Sequence, residues 1–384
     1  MMGGPFDERW NRVTTKTAAM PAMDVAPRLP RLRERLGDAG CDALAVTNLS
    51  NVGYLTGFTG SAGILLVTPQ ESVLVTDGRY QTQSREQLAT AGVDARVEIG
   101  GVAAQLEALA TAARGLGRIG LEATDVSWAR QRRFGAEVFT DAELVPTEGL
   151  VEGFRRVKDA GELARMEAAA DIADAALAQV RDLLPDGVSE ADLALELDFA
   201  MRRLGAAGSS FDTIVAAGPN GAKPHARPSA RPIEAGELVV IDFGAIVDGY
   251  CSDMTRTLWV GDLDSEVAGR MVEVVAASQA AGVDAVRSGA SCAEVDGACR
   301  EIIAEAGWAD AFLHSTGHGV GLDIHEAPWV AATSTDTLEP STVVTVEPGV
   351  YLPDIGGVRI EDTVVVTSDG CRPLTKSPKD LIAT

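Results

Sequence analysis

The stretch Ile241-Asp-Phe-Gly-Ala-Ile-Val-Asp-Gly-Tyr-Cys-Ser-Asp-Met-Thr-Arg256 places an apolar run on each side of the dipeptide Asp248-Gly249. Asp-Gly between two such runs is a strong signal for a two-residue hairpin turn. Folding the chain there pairs Asp242 with Thr255. Directly paired residues share a sheet face, and Asp253, two along from Thr255, shares it too. The two aspartates become diagonal neighbours with Cα atoms roughly 7–8 Å apart. A single aspartate in a hairpin is an ordinary turn residue. Two on one face beside Ile241, Phe243 and Trp259 need a counter-charge, because buried like charges are unfavourable.

Further acidic and imidazole groups follow. Glu347 closes the apolar run Val343-Val-Thr-Val346, and Glu361 lies between Gly357-Val-Arg-Ile360 and Asp362-Thr-Val-Val-Val366. Both read as parts of buried strands. The segment between them, bounded by Pro348-Gly349 and Gly356-Gly357, reads as a loop too long to give their relative facing. Taken alone, either glutamate could equally pair with Arg359. The chain has four histidines, and His314, His318 and His325 fall together among glycines. Histidines clustered in this way point to function rather than to core packing. Asp242, Asp253, Glu347, Glu361 and His318 form a plausible shell for two divalent ions, whose charge the four carboxylates would balance. Two Lewis acids would stabilise hydroxide near neutral pH. Oxygen-rich ligation with one nitrogen suits manganese, cobalt, iron or zinc. Asp242-Phe-Gly matches a kinase metal triplet, but no His-Arg-Asp or glycine-rich nucleotide loop accompanies it. His325-Glu-Ala-Pro-Trp329 is not the helical His-Glu-x-x-His zinc motif.

Outward from the hairpin, the pattern suggests a duplicated α/β unit. Apolar residues of one face recur over 163–184, Ser189 caps a second helix, and that helix stops at Gly205. A helix over 265–287, a cap at Ser291 with Glu294, and a stop at Gly307 repeat the order. Histidines and an acid-bearing strand region follow each copy, as expected of two related halves facing one site. Earlier in the chain, Ala43-Leu-Ala-Val-Thr47, Gly63–Thr68, Ser72–Thr76 and Arg118–Glu122 read as strands, with helices over 27–41, 80–92 and 102–114. That alternation predicts an α/β domain over 26–150, a catalytic domain over 151–384, and a flexible tail over 1–25.

Composition narrows the class. The chain has 384 residues, of which 46% are hydrophobic and 23% charged, with a net charge of −23. Such a balance suits a soluble two-domain protein and argues against nucleic acid or anionic membrane as partners. Five cysteines without a Cys-x-x-Cys pair predict neither a disulfide framework nor a cysteine zinc site. No stretch approaches the ~18 apolar residues of a membrane span, and no apolar signal core opens the chain. A reducing, cytoplasmic setting is expected.

In order and context, the Asp242, Asp253, His318, Glu347, Glu361 set resembles the ligand shell of the pita-bread metallopeptidases. Tyr54-Leu-Thr-Gly-Phe-Thr-Gly-Ser-Ala-Gly63 and Thr76-Asp-Gly-Arg-Tyr80 resemble the N-terminal domain of the aminopeptidase P and prolidase branch. The resemblance implies a creatinase-like α/β domain followed by a pita-bread domain of two pseudo-symmetric halves. It implies that Asp242 chelates one metal, that Asp253 and Glu361 bridge both, and that His318 and Glu347 complete the other. Glu347 would also shuttle the proton of the attacking water. His225 and His325 would contact the substrate at the scissile bond, His314 would line the proline side, and Arg359 would hold the ligands. The implied reaction is hydrolysis of an N-terminal Xaa-Pro bond by a hydroxide bridging two ions, with Mn2+ first and Co2+, Zn2+ or Fe2+ as alternatives. The implied partners are peptides with proline second and another copy of the chain in a homodimer. A dipeptidase acting only on Xaa-Pro, a relaxed methionine aminopeptidase, and a non-catalytic protein-binding module are the other readings.

Overall fold

The computed structural model describes residues 20–263 and 265–379, with backbone also at 381–383. It divides into two compact units, one spanning Ala22–Arg155 and the other built from Arg156 onward. Residues 1–19 of the expected tail lie outside the described residues. Beyond them, the Pro21 carbonyl accepts a hydrogen bond from Arg165 and Val25 is buried.

The first unit is a six-stranded mixed sheet. Its spatial order is Arg96–Ile99, Ser72–Thr76, Ile64–Val67, Ala43–Val46, Arg118–Glu122 and Glu143–Thr147. The central strands read ALAV and ILLV, apolar on both faces, as doubly covered strands must be. The two edge strands, RVEI and ELVPT, carry charges and a proline and were not anticipated from sequence. A helix over Leu49–Thr56, capped by Asn48, was also missed.

The second unit repeats one design twice. Helices Ala160–Val180 and Glu190–Leu204 pack with the strands Ile214–Ala217, Leu238–Phe243 and Met254–Val260 around one core. Helices Glu266–Ala285 and Cys292–Glu305 pack with Val343–Val346 and Asp362–Val366 around another. Ser189 and Ser291 each accept a backbone N–H three residues on, which satisfies a donor that the first helical turn leaves free. Each half carries an antiparallel ladder, and the ladders hold the acidic residues.

Thr255 faces Asp242 in the observed ladder. Asp248 and Gly249 both take positive φ, 49° and 88°, as a tight primed turn requires. The ribbon is not one continuous pair of strands, however. It breaks at Gly244, where a Cβ would lie 1.9 Å from the Ser252 carbonyl oxygen, and its tip joins a separate small sheet. The segment between Glu347 and Glu361 also differs from the expected loop. It forms a hairpin pairing Gly349–Leu352 with Gly356–Arg359, and Glu361 occupies the break before the Asp362–Val366 strand.

Candidate active site

Three carboxylates meet where the two ladders converge. One oxygen each of Asp242, Asp253 and Glu361 lies within 4.8 Å of the others. Thr255 Oγ1 donates to Glu361 Oε2 at 2.7 Å, and Arg359 Nη2 donates to Asp242 Oδ2 at 2.5 Å. Asp242 Oδ1 and Glu361 Oε1 are buried without any hydrogen-bond partner. Burial, then the charges of Glu361, Asp242 and Glu347, push the Asp253 carboxyl well above the ordinary carboxylate range. Burial, then Glu347 and Asp242, does the same to Glu361. Buried acids that repel one another and leave oxygens unpaired fit a divalent cation, which supplies the charge and the ligand bonds that the protein withholds.

His318 and Glu347 complete the cluster. His318 Nδ1 lies 3.0 Å from the Gly319 carbonyl, which only accepts, so Nδ1 carries the proton and Nε2 faces the acids. That Nε2 is 3.3 Å from Glu347 Oε1 and 3.5 Å from Asp253 Oδ2. Glycine is required on both sides of the ring. A Cβ at Gly317 would lie 2.0 Å from the Thr345 carbonyl, and one at Gly319 would lie 2.5 Å from the Ala327 carbonyl. Burial disfavours a charged Glu347, but the hydrogen bond and charge of His318, aided by His314 and Arg359, outweigh it and hold the carboxyl at about 2. The His318 imidazole thus lowers Glu347, whereas the strongest charges acting on Asp253 and Glu361 are those of other acids.

Behind the acids runs a chain of donors. Arg359, fully enclosed, donates from Nε to Thr255 Oγ1, from Nη1 to Tyr351 Oη and the Pro224 carbonyl, and from Nη2 to Asp242. Tyr351 Oη is also 2.8 Å from His314 Nε2, while His314 Nδ1 is 2.7 Å from the Ser315 carbonyl.

A cavity of about 360 Å³ opens over the cluster and is lined by His225, His314, His318, His325, Glu347 and Arg359 among others. The structure therefore gathers all nine site residues named from sequence around one place. Eight line this cavity or belong to it through Asp242 and Asp253, and Glu361 lies beneath it among the carboxylates. The His325 ring is 4.4 Å from that of His318 and stacks on Trp329 at 6.4 Å with a 24° tilt. Tyr351, Thr255 and Trp329 were not singled out from sequence. Thr255 could have been, because its pairing with Asp242 turns it toward the acids. Tyr351 could not, because it sits on the hairpin that read as a loop.

With this geometry in place, comparison with known proteins is decisive. The profile of metallopeptidase family M24 matches residues 164–368, and that of the creatinase/prolidase N-terminal domain matches residues 28–157. The chain belongs to metallopeptidase family M24, with the N-terminal creatinase-like domain and the pita-bread catalytic domain. It is similar to the solved Xaa-Pro dipeptidase from Bacillus anthracis, at 40% identity and a TM-score of 0.88, over 92% of this chain and 98% of that one. It is similar also to an X-Pro aminopeptidase from Thermotoga maritima, at 33% identity and a TM-score of 0.83, over 92% and 99% of the two chains. A putative Xaa-Pro aminopeptidase of Mycoplasma pneumoniae is 35% identical, over 89% of this chain and 95% of the relative. The protein is accordingly a peptidase whose family implies divalent metal. No described helix is long and apolar enough to cross a membrane.

Proposed function

We propose that this peptidase cleaves the bond between an N-terminal residue and proline, using two divalent ions held by Asp242, Asp253, His318, Glu347 and Glu361. The observation that carries this reading is the convergence of those side chains, with two buried carboxylate oxygens left unpaired. Relatives named for Xaa-Pro chemistry on both the dipeptidase and aminopeptidase sides support the substrate class. The donor set favours Mn2+, with Co2+, Zn2+ and Fe2+ as alternatives. When bound, such ions supply Lewis acidity that lowers the pKa of water and polarises a peptide carbonyl.

The chain's own groups then have defined tasks. Thr345 donates to Glu347 Oε1 at 3.1 Å, which leaves Oε2 to take a proton from the attacking water and deliver it to the leaving nitrogen. His325, braced between His318 and Trp329, and His225 face the cavity and donate to the oxygen that gains charge at the scissile carbon. Arg359 fixes the orientation of Asp242, so that its free oxygen points into the cluster. His314 lines the proline side as a wall. A homodimer in the cytoplasm is the expected working form.

The test strips metal from the full chain, restores Mn2+, Co2+ or Zn2+ separately, and compares Ala-Pro, Ala-Pro-Ala and Met-Ala-Ser. Cleavage of the proline peptides, restored best by Mn2+, is expected. Cleavage of Met-Ala-Ser alone would overturn the assignment.

A further inference from the structure

The cavity wall contains two arginines, and only one can meet a ligand. Arg359 is buried, with its donors committed to Thr255, Tyr351, Pro224 and Asp242. Arg227 lines the same cavity, is exposed, and has no hydrogen bond or ion pair to any described residue. It stands two residues beyond His225 on a short segment between Pro224 and Pro228. His225 and Arg227 are exposed while Ala226 between them is buried, so the two project together. The segment is fastened at both ends. Arg359 Nη1 donates to the Pro224 carbonyl at 3.2 Å. Beyond Pro228, the backbone N–H and hydroxyl of Ser229 donate to Glu190 Oε2 at 3.0 and 2.6 Å. Glu190 is itself fully buried and also binds Ala217 and Asn220. An exposed guanidinium is thus presented from an anchored support.

Taken with the proposed Xaa-Pro reaction, on which it rests, this arrangement has a consequence for substrate length. We infer that Arg227 binds the C-terminal carboxylate of a short peptide, a dipeptide before any longer chain, and so sets the length preference of the site. A protein of net charge −23 creates a field that repels a peptide carboxylate, and a local cation reverses that field at the cavity. A guanidinium matches a carboxylate with two parallel N–H donors. Ala226 N–H closes a turn on the Lys223 carbonyl at 3.1 Å, and two residues of chain span at most about 7 Å, so a carboxylate one residue past the scissile bond falls within reach of Arg227 when His225 faces that bond. A carboxylate several residues further on does not.

The test compares free acid with amide. On the Mn2+-loaded full chain, kcat/KM is measured for Ala-Pro and Ala-Pro-amide in the wild type, Arg227→Gln and Arg227→Lys. The wild type is expected to favour the free acid about ten-fold, one charge-assisted contact at a partly exposed site. Arg227→Gln should collapse that ratio toward one through KM, and Arg227→Lys should keep part of it. A free-acid preference that persists in Arg227→Gln, or is absent from the wild type, overturns the inference. If neither proline substrate is cleaved, the Xaa-Pro reading fails, and the same comparison with Met-Ala and Met-Ala-amide still decides the role of Arg227.

Discussion

Replacing Asp253 with asparagine should make the metal-free protein more stable and the metal-loaded protein less so. Asp253 is buried, and its oxygen lies within 4.8 Å of those of Asp242 and Glu361. At an effective dielectric near 20, two unit charges at that distance repel by about 3.5 kcal/mol, so two such neighbours cost about 7. Proton uptake by the cluster limits the penalty. Keeping a carboxyl protonated near pH 7, when it would ionise in the unfolded chain, costs about 4 kcal/mol. Against this, Asp253→Asn loses its contact with His318 Nε2 and brings N–H donors that need acceptors, a loss of about 2 kcal/mol. The net gain without metal is about 2 kcal/mol. With Mn2+ at a hundred times its dissociation constant, the wild type gains about 2.7 kcal/mol from binding, and the variant, short of one ligand, forgoes most of it. The order of stabilities therefore reverses between chelator and Mn2+. Calorimetric melting of both proteins in each condition reads this directly, following the transition that Mn2+ shifts. If Asp253→Asn proves less stable than the wild type in chelator by more than about 1 kcal/mol, the carboxylate is held by the protein itself and the argument from repulsion is wrong.

Two other substitutions probe the supports of the site. Arg256 is buried and donates to the carbonyls of Glu361, Thr255, Ser377 and Pro378 and to Asp362, which ties the Glu361 backbone to the segment before residue 379. Arg256→Met should destabilise by about 3 kcal/mol, the lower end for breaking a buried pair, because Lys379, Thr375 and Gln279 still face Asp362. Urea unfolding measures it, and a loss under about 1 kcal/mol would show that this segment stands without Arg256. Tyr351→Phe removes an acceptor from Arg359 and a donor to His314. A loss of about 1–3 kcal/mol in stability is expected, together with a change in the ring-nitrogen shifts of His314 by NMR; unaltered shifts would refute the donor chain.

How far the sequence reaches is set by the range of each signal. The Asp242–Thr255 pairing was legible because a two-residue turn fixes register locally, over a dozen residues. The helix caps at Ser189 and Ser291 were legible for the same reason. The break at Gly244 was not, because the atom that excludes a side chain there belongs to Ser252 across the ribbon. The hairpin between Glu347 and Glu361 has a three-residue connection, Pro353-Asp-Ile355, rather than a tight Asn-Gly or Asp-Gly turn, so no short-range rule marked it. The facing of Glu347 and Glu361 depends on that hairpin, and their place in the proposed ligand set came from family resemblance. The edge strands of the first unit escaped because polar edges hide the apolar pattern by which strands are recognised.

The donor chain also divides the four histidines by task. Arginine can only donate, and a carbonyl oxygen can only accept. Burial lowers the pKa of His314, so the ring is neutral and carries one N–H. The Ser315 carbonyl at 2.7 Å from Nδ1 takes that proton, which leaves Nε2 as an acceptor. Tyr351 Oη accepts from Arg359 Nη1 and so has its own hydrogen to give to His314 Nε2, 2.8 Å away. The direction from Arg359 through Tyr351 and His314 to Ser315 is therefore fixed at both ends. His314 keeps no N–H for a substrate, and His318 has its Nδ1–H on Gly319 and its Nε2 among the acids. In the proposed reaction, stabilising a developing oxyanion needs a donor, and His225 and His325 are the imidazoles that remain for it. Of these, His325 is the one braced by an aromatic ring, and burial first, then the neighbouring His318, lowers its pKa. A neutral His325 can still donate through one nitrogen, so its proposed contribution does not depend on its carrying charge.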